Sequence, residues 1–314
     1  MESDNPSILE ILARDEPAKI CAPMVRYSKL AFRTLVRKYG CDIAYTPMIV
    51  ADSFLQSESC RNVEFQTNDN DKPLIVQFGA KTARDFADAT QLVAPYSSGV
   101  GLNCGCPQRW CIADGMGCYL LRDPETTRDF IKQARELVPD TKFTISAKIR
   151  IDKDERKTID LCRKLEAVGT SFISVHGRTP QERHEPVHYD VIKLIKESVS
   201  VPVVANGDVT DMTSLRKVTE ITGCDGVMVA RGILSNPAMF HGYQYTPLEC
   251  VRDWVDISLK LGTHFTCFHN HLIYMLEKVS TKADKRLFNM LQSTPAVLEY
   301  LDDRIFNSNY KMPT

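Results

Sequence analysis

The feature that most constrains the fold is a regular alternation of short apolar segments with segments of helical character. Eight runs rich in apolar and β-branched residues recur in order: KICAPMV, DIAYTPMI, PLIVQFGA, SGVGLNCG, FTISAKIRI, SFISVHG, VPVVANGD and DGVMVARG. Most are followed by a stretch with apolar residues at three- and four-residue spacing, as at Phe32, Leu35 and Val36. A helix is hard to place in one connection, from Asp52 to Lys72. The alternation predicts a parallel sheet covered by helices.

Eight such units within roughly 230 residues are the size of a closed barrel, so we predict an α/β protein with a (β/α)8 TIM barrel. A doubly wound open sheet is the alternative. It is less favoured because no GxGxxG follows the first strand, GVGLNCG has the wrong spacing, and no Walker A motif is present.

The C-terminal part of the chain changes character and reads as helices: PLECVRDWVDISLKLG, HFTCFHNHLIYMLEK, KADKRLFNMLQS and PAVLEYLDDR. In the second of these, Phe268, Leu272, Met275 and Val279 follow the spacing of one buried helix face. We therefore predict a small C-terminal helical domain. The predicted segments are an N-terminal extension at 1–19, the barrel at 20–243 and the helical domain at 244–314.

Composition places the chain among ordinary soluble globular proteins, with 43% hydrophobic and 25% charged residues and a formal net charge of -1. The total charge does not point to nucleic acid, although a local basic face can lie within a neutral total. No apolar run is long enough to span a bilayer, and the acidic N-terminus has neither a signal core nor a transit pattern. We expect a monomer of the cytosol or nucleus that binds neither membrane nor DNA. In that reducing compartment most of the eleven cysteines should be small buried apolar residues.

Polar and functional residues cluster where the predicted strands end, and the catalytic groups of a barrel lie at the C-terminal ends of its strands. In chain order these residues are Pro23, Met24, Val25, Gln77, Asn103, Cys106, Lys148, His176, Arg178, Asn206, Gly207, Asp208, Ala230 and Arg231. Each alone has an ordinary structural explanation, such as a surface lysine, a buried histidine or an Asn-Gly-Asp turn. Together they converge on one mouth of one barrel, which predicts a site.

The chemistry of this mouth suits a flavin mononucleotide. Glycines after the seventh and eighth strands let backbone N–H groups approach a phosphate closely. Lys148 and His176 suit the pyrimidine edge of an isoalloxazine, where negative charge accumulates on reduction. Gln77 suits another polar edge of the ring, and the backbone of Pro23–Val25 can pack against it. We predict FMN as the cofactor.

The stretch GVGLNCGCPQRWC raises three further possibilities for its cysteines. A metal site would use Cys104, Cys106, Cys111 and Cys118, but C-x-C-x4-C-x6-C lacks paired C-x-x-C knuckles and a nearby histidine. A disulfide does not suit a reducing compartment. Cys106 differs from its neighbours because Gly105 and Pro107 hold it in a tight turn at the catalytic end of a strand. A free thiol is mostly protonated at neutral pH and can act as a general acid. We predict an enzyme without a metal, in which Cys106 donates a proton.

The residues from about 20 to 240 resemble the tRNA-dihydrouridine synthases. The resemblance rests on CAPMVRYSKLAFR, VQFGA, LNCGCPQ, SAKIRI, VHGRT, VPVVANGDV and GVMVARGILSNP. APMVRYSKLAFR and HGRTPQERHEPVHYD are most similar to the subfamily that acts on positions 20a and 20b of the tRNA D-loop. The resemblance implies a barrel followed by a helical domain, FMN as cofactor and tRNA as substrate.

The resemblance also implies a mechanism. NADPH or NADH reduces the bound flavin, flavin N5 passes hydride to C6 of a tRNA uracil, and Cys106 protonates C5 to give 5,6-dihydrouridine. The uracil must leave its stack to reach the flavin. Asn103 and Arg178 stand where the family holds that uracil. The flavin contacts carry over onto Pro23, Met24, Val25, Gln77, Lys148, His176, Asn206, Gly207, Asp208, Ala230 and Arg231.

RNA recognition would then fall largely to the helical domain, where the spacing of Lys278, Lys282, Lys285 and Arg286 places several of them on one helix face. Residues 244–314 contain eight basic and eight acidic residues, so this patch is local, and a solvated helix face is the alternative. Two other functions stay open at this point. One is an FMN barrel oxidoreductase acting on a small pyrimidine or enone. The other is a non-catalytic RNA- or metal-binding protein, which would not need Cys106, Lys148 and His176 together.

Overall fold

A computed structural model of the chain describes residues 6–306, and its centre is a closed parallel sheet. The strands are β1 Ala18–Cys21, β2 Ile43–Tyr45, β3 Ile49–Val50, β4 Leu74–Gly79, β5 Gly99–Cys104, β6 Thr144–Arg150, β7 Phe172–His176, β8 Val203–Asn206 and β9 Gly226–Val229. The ring closes because β1 pairs with both β2 and β9, and β2 pairs with β4. The short β3 pairs with the end of β4. The predicted (β/α)8 barrel is confirmed, and the open-sheet alternative is wrong.

Helices surround this sheet and continue after it. They are α1 Ile8–Leu12, α2 Leu30–Lys38, α3 Ala51–Gln56, α4 Glu58–Glu64, α5 Ala83–Val93, α6 Arg109–Ala113, α7 Pro124–Leu137, α8 Glu155–Ala167, α9 Tyr189–Ser198, α10 Met212–Thr222, α11 Arg231–Ser235, α12 Leu248–Lys260, α13 Phe265–Leu276, α14 Lys282–Asn289 and α15 Thr294–Leu301. Short 3₁₀ helices lie at Ala94–Tyr96, Gly117–Arg122 and Met239–His241, and a π-helical turn lies at Asp302–Phe306. Within residues 6–306, no helix combines the length and apolar character needed to cross a bilayer.

The connection without a clear helix in the sequence holds two short ones, α3 and α4, which meet at Ser57. Its hydroxyl accepts the N–H of Cys60 at 3.1 Å and so begins the second helix. Neither segment is long enough to show a periodic apolar face, which is why the sequence pattern missed them.

The barrel interior is filled by side chains, so chemistry is confined to its ends. A Cβ added to Gly101 on β5 would lie 3.1 Å from Tyr45 and 3.3 Å from Ser146. At the N-terminal end, α1 buries Ile8, Ile11 and Leu12. This helix and the start of β1 belong to the segment predicted as an extension at 1–19, and their packing favours counting them with the barrel.

Helix α12 packs against α2 on the outside of the barrel. Its Asp253 accepts hydrogen bonds from Lys38 Nζ and Tyr39 OH, both at 2.6 Å. Its Trp254 meets Phe32 of α2 edge-on at 6.3 Å between ring centroids. The domain boundary at residue 244 stays a prediction; this packing favours a boundary between α12 and α13.

Helix α13 docks on the loop that follows β1. The imidazole of His271 bonds through Nε2 to the carbonyl of Tyr27 at 3.1 Å and stacks on Phe32 at 4.3 Å. Burial lowers the pKa of His271 to about 3, so this ring is neutral at physiological pH. The hydroxyls of Tyr27 and Tyr274 lie 3.3 Å apart. The helical domain therefore rests against the segment that carries Pro23–Val25.

Candidate active site

The side chain of Asn103, at the end of β5, organises the centre of the barrel mouth. Its Nδ2 donates to Oε1 of Gln77 on β4 at 2.8 Å. Its Oδ1 accepts the backbone N–H of Gly105 at 3.2 Å and of Cys106 at 3.0 Å. The Asn103 amide therefore fixes the start of the loop that carries Cys106.

Two buried nitrogens in this mouth lack a hydrogen-bond partner among residues 6–306: Nε2 of Gln77 and Nε2 of His176. The amine of Lys148 likewise makes no hydrogen bond or ion pair within the described part of the chain. Buried polar groups are nearly always paired in folded proteins. Three unpaired nitrogens at neighbouring strand ends therefore indicate a ligand with polar edges.

Strand register places predicted site residues opposite one another on adjacent strands. Asn103 lies opposite Lys148 across β5 and β6, and His176 lies opposite Asn206 across β7 and β8. Parallel strands in a closed barrel present their C-terminal ends at one mouth. The residues predicted from strand ends therefore share that mouth.

Burial controls the protonation of the two nitrogen bases. It lowers the pKa of Lys148 to about 8, with a further effect from Arg150, so the amine remains largely charged at neutral pH. Burial, and then the charge of Lys148, lowers the pKa of His176 to about 2. The mouth thus offers one cation beside a neutral imidazole, a combination suited to a ligand edge that carries negative charge.

Cys106 is an acidic thiol. A hydrogen bond from the Cys111 thiol is the main cause, and the charges of Lys148 and Arg150 add to it, so that the pKa of Cys106 falls to about 6 although burial opposes the shift. The same contact raises the pKa of Cys111. A Cβ on Gly117 would lie 2.9 Å from both Cβ of Cys106 and Sγ of Cys111, and this glycine has φ +61°. A side chain at Gly117 would separate the two thiols.

A cavity of about 180 Å³ adjoins this centre, and its lining is His176, Arg178, Asn206, Gly207, Asp208, Val209, Thr210, Met228, Val229, Ala230, Arg231 and Gly232. Gly207 has φ +141°, and a Cβ there would lie 2.8 Å from Val187. A Cβ on Gly232 would lie 2.4 Å from the carbonyl oxygen of Val209. Protein packing therefore requires glycine at both positions. Both glycines also line the cavity, where backbone N–H groups can interact with an anion.

Asp208 lies between two arginines at the rim of this cavity. Arg178 holds its carboxylate through two nitrogens, one at 3.0 Å, and Arg231 does so at 2.7 Å. The Arg178 side chain is only 2% exposed, and its Nε donates to the carbonyl of Glu185 at 2.6 Å. Hydrogen bonding from Arg178 lowers the pKa of Asp208. The role predicted for Arg178 in a uracil pocket stays a prediction, and this geometry favours a structural part at the anion cavity.

The loop after β1 reaches the same mouth. The N–H of Ala22 donates to the carbonyl of Val229 at 3.0 Å, which places Pro23 beside the end of β9. The Ser28 hydroxyl accepts the N–H of Met24 at 2.9 Å and fixes the turn. Val25 is 52% exposed, so an apolar side chain faces solvent at the mouth.

Sequence reasoning missed Arg150. Its Nε donates to the carbonyl of Gly105 at 3.1 Å, and its NH1 donates to the carbonyls of Thr179 and Glu182 at 2.9 and 3.2 Å. It therefore ties the Cys106 loop to the loop after β7. The sequence did contain a signal for Arg150, because it stands two residues after Lys148 in a predicted strand. That spacing places both side chains on the same face of the strand.

The four predicted RNA-binding cations do not share one continuous helix. Helix α13 ends at Leu276, so Lys278 lies in the turn that follows, whereas Lys282, Lys285 and Arg286 belong to α14. Lys282, Lys285 and Arg286 are three and four residues apart in α14 and so share a face of that helix, whereas the chain turns between residues 277 and 281 and separates Lys278 from them. Their role in RNA binding stays a prediction. Lys278 and Lys285 nevertheless line one shallow depression.

The cysteine stretch does not form a metal knuckle. Among residues 6–306, no group of three or more His, Cys, Asp or Glu side chains is arranged to hold a metal ion. All eleven cysteines are free thiols. His269 and His271, in α13, bond separately to the carbonyls of Phe288 and Tyr27.

Comparison with known proteins identifies one family and close relatives within it. The family model described as Dihydrouridine synthase (Dus) matches residues 20–308. A Mus musculus protein named "tRNA-dihydrouridine(20a/20b) synthase [NAD(P)+]-like" is 59% identical over 94% of this chain and 91% of its own length. The Homo sapiens protein of the same name is 57% identical over 94% of this chain and 93% of its own length.

A solved structure of histamine dehydrogenase from Rhizobium sp. 4-9 is similar with a TM-score of 0.52 and 10% sequence identity, over 76% of this chain and 49% of that one. The chain thus spans about half the length of that protein. At this identity the likeness shows a shared barrel fold.

Proposed function

From the premise that the chain belongs to the dihydrouridine synthase family, we propose that it is a flavin-dependent tRNA-dihydrouridine(20a/20b) synthase. It reduces uridines of the tRNA D-loop to 5,6-dihydrouridine with electrons from NADPH or NADH. The observation that carries the proposal is the Asn103 amide, which holds the acidic thiol of Cys106 beside Lys148 and the unpaired nitrogens of Gln77 and His176. Action as a monomer in the cytosol or nucleus remains a prediction.

The residues present fit FMN. The unpaired Nε2 atoms of Gln77 and His176 and the free amine of Lys148 suit the polar edges of the isoalloxazine. The backbone around Gly207 and Gly232, with Arg231 at the rim, suits its phosphate. When bound, FMN supplies the hydride that reduces the uracil.

Cys106 holds the proton that the uracil C5 receives. With a pKa of about 6 the thiol of the free site is mostly ionised at neutral pH, contrary to the expectation for an ordinary thiol, so it donates a proton only where its pKa is raised again. An anionic ligand beside Lys148 and Arg150 offsets their charge and raises the pKa of Cys106. The filled site therefore keeps this thiol protonated nearer to neutral pH than the free site does.

Asn103 orients both the loop and the substrate. A carboxamide has two N–H donors and an acceptor oxygen. One donor is used by Gln77, and the oxygen is used by the N–H groups of Gly105 and Cys106. The remaining N–H is available for a uracil carbonyl, so that the ring is held at a fixed position relative to Cys106.

The site of action is tested by incubating the holoenzyme with NADPH and an unmodified tRNA transcript and mapping dihydrouridine by nuclease digestion and mass spectrometry. We expect product in the D-loop at positions 20a and 20b. Product only from free pyrimidines or small enones, with none in tRNA, would overturn the proposal in favour of a small-molecule oxidoreductase.

A further inference from the structure

Two large aromatic side chains are exposed directly beside the Cys106 loop. Trp110 and Tyr119 are each 45% exposed. Isolated exposed aromatics need no explanation. These two are different because each is the chain neighbour of a residue that contacts Cys106.

The contacts of the two neighbouring cysteines define this arrangement. Cys111, which follows Trp110, lies next to Cys106, because a single Cβ on Gly117 would be 2.9 Å from both Cβ of Cys106 and Sγ of Cys111. Cys118, which precedes Tyr119, donates its N–H to the Cys106 carbonyl at 3.0 Å. Both cysteines are buried. The same two segments thus hold the catalytic thiol on their inner side and present aromatic rings on their outer side.

Both rings have polar neighbours that restrict their orientation. The indole Nε1 of Trp110 donates to Oε1 of Gln108 at 2.5 Å. The guanidinium carbon of Arg122 lies 5.3 Å from the centre of the Tyr119 ring. A ring held in place loses little conformational freedom when a ligand stacks on it.

The charge around the rings favours an anionic ligand. Arg109 and Arg122 are exposed on this surface, and Asp114 is the single acid between them in sequence. The amine of Lys81 lies 4.0 Å from Asp114 and 3.2 Å from Asp52. Aromatic faces interspersed with arginines are the usual surface for unpaired bases and their phosphates.

We propose that Trp110 and Tyr119 form a stacking platform for an unpaired base adjacent to the uridine that is reduced, with Arg109 and Arg122 contacting the flanking phosphates. This inference rests on the proposed function, since it takes the target uridine to lie at Cys106. A uridine turned out of the stack leaves its neighbour exposed beside the site. The platform contributes to the choice of D-loop position by fixing that neighbour.

The chain offers a direct optical test. It contains two tryptophans, and Trp254 is fully buried. Acrylamide therefore quenches mainly Trp110 in the holoenzyme, and unmodified tRNA should protect it. The Trp110→Phe variant should still bind tRNA and should lose the tRNA-dependent change in quenching.

Affinity provides the second readout. Stacking of one base on an aromatic ring contributes ~1–3 kcal/mol, so Trp110→Ala should raise the Kd for tRNA by roughly 5- to 150-fold. Trp110→Phe should stay close to the wild type. The matched control is Tyr96→Ala, because Tyr96 is 60% exposed and precedes β5, at the opposite end of the barrel. Its Kd should not change.

The outcomes separate the two proposals. The platform would be overturned, and the function left intact, by three results together. These are a Trp110 that tRNA does not protect from acrylamide, a Trp110→Ala variant with the wild-type Kd for tRNA, and an enzyme that still makes dihydrouridine. A wild-type holoenzyme that neither binds nor reduces tRNA would overturn the function, and the platform with it.

Discussion

The Asn103 side-chain oxygen accepts the backbone N–H of Cys106 at 3.0 Å. The residue expected to hold the uracil therefore also sets the position of the thiol expected to protonate it. A displacement of Asn103 also moves Cys106, so the proton transfer depends on a side chain that does not itself give a proton to the substrate.

Replacement of Asn103 tests this relationship. Asn103→Ala leaves the N–H groups of Gly105 and Cys106 without an acceptor, and a cost of about 1–3 kcal/mol should lower the rate of uridine reduction roughly 5- to 150-fold. Asn103→Asp keeps the acceptor and should retain the loop, although it loses the bond to Gln77. Single-turnover reduction of tRNA by the pre-reduced enzyme measures the effect, and equal rates for both variants and the wild type would contradict it.

Replacement of Cys106 tests the proton donor. Cys106→Ala should retain the fold and bound flavin and should be reduced by NADPH normally. Its yield of dihydrouridine should fall about 10²- to 10⁴-fold, the usual contribution of a positioned general acid. Product is counted by mass spectrometry of digested tRNA. Unimpaired turnover would remove Cys106 from the mechanism.

The Cys106–Cys111 contact predicts a measurable pH dependence. Thiolate is the reactive form, so alkylation of Cys106 by iodoacetamide, read at its own peptide, should rise with pH around a midpoint near 6. Cys111→Ala removes the donated hydrogen bond and should move the midpoint to higher pH. Cys111→Ser keeps a donor and should move it less. Midpoints that coincide in all three proteins would show that Cys111 does not act on Cys106.

Lys148 is expected to retain the flavin. Lys148→Met removes the cation at the mouth while keeping a long side chain, and it should weaken FMN binding and slow reduction by NADPH. Lys19, on β1 at the opposite end of the barrel, provides the matched control as Lys19→Met. FMN release on dilution, followed by fluorescence, measures retention. Equal retention of FMN by the Lys148→Met and Lys19→Met variants would count against the placement of a polar edge of FMN beside Lys148.

The basic residues of the helical domain predict a salt dependence. The variant carrying Lys278→Ala and Lys285→Ala should bind tRNA more weakly than the wild type. The slope of log K against log salt should become shallower by about 0.7–0.9 for each phosphate that the variant no longer neutralises. Lys132 and Lys193, on the outer helices α7 and α9, provide the control pair. Identical slopes for both double variants would identify Lys278 and Lys285 as an ordinary solvated surface.

Much of the barrel and its mouth was predictable because parallel strands buried on both faces produce continuous apolar runs, and their ends must meet. Asn103, Lys148 and His176 could be placed on that basis. The thiol contact of Cys111 and the carbonyl contacts of Arg150 depend on loop paths between strands, which no local pattern records. Likewise, an amphipathic pattern does not say what a helix packs against, so the contact of α12 with α2 could not be predicted. The spacing of Lys278 and Arg286 did not reveal the turn between α13 and α14.

The most direct test of the central claim is the visible spectrum of the purified holoenzyme, followed without oxygen while NADPH and then unmodified tRNA are added. We predict flavin bands that bleach with NADPH and return when tRNA is added, because the tRNA uridine accepts the electrons. Bleaching that tRNA does not reverse would contradict the substrate, and a colourless protein that FMN does not reconstitute would contradict the site itself.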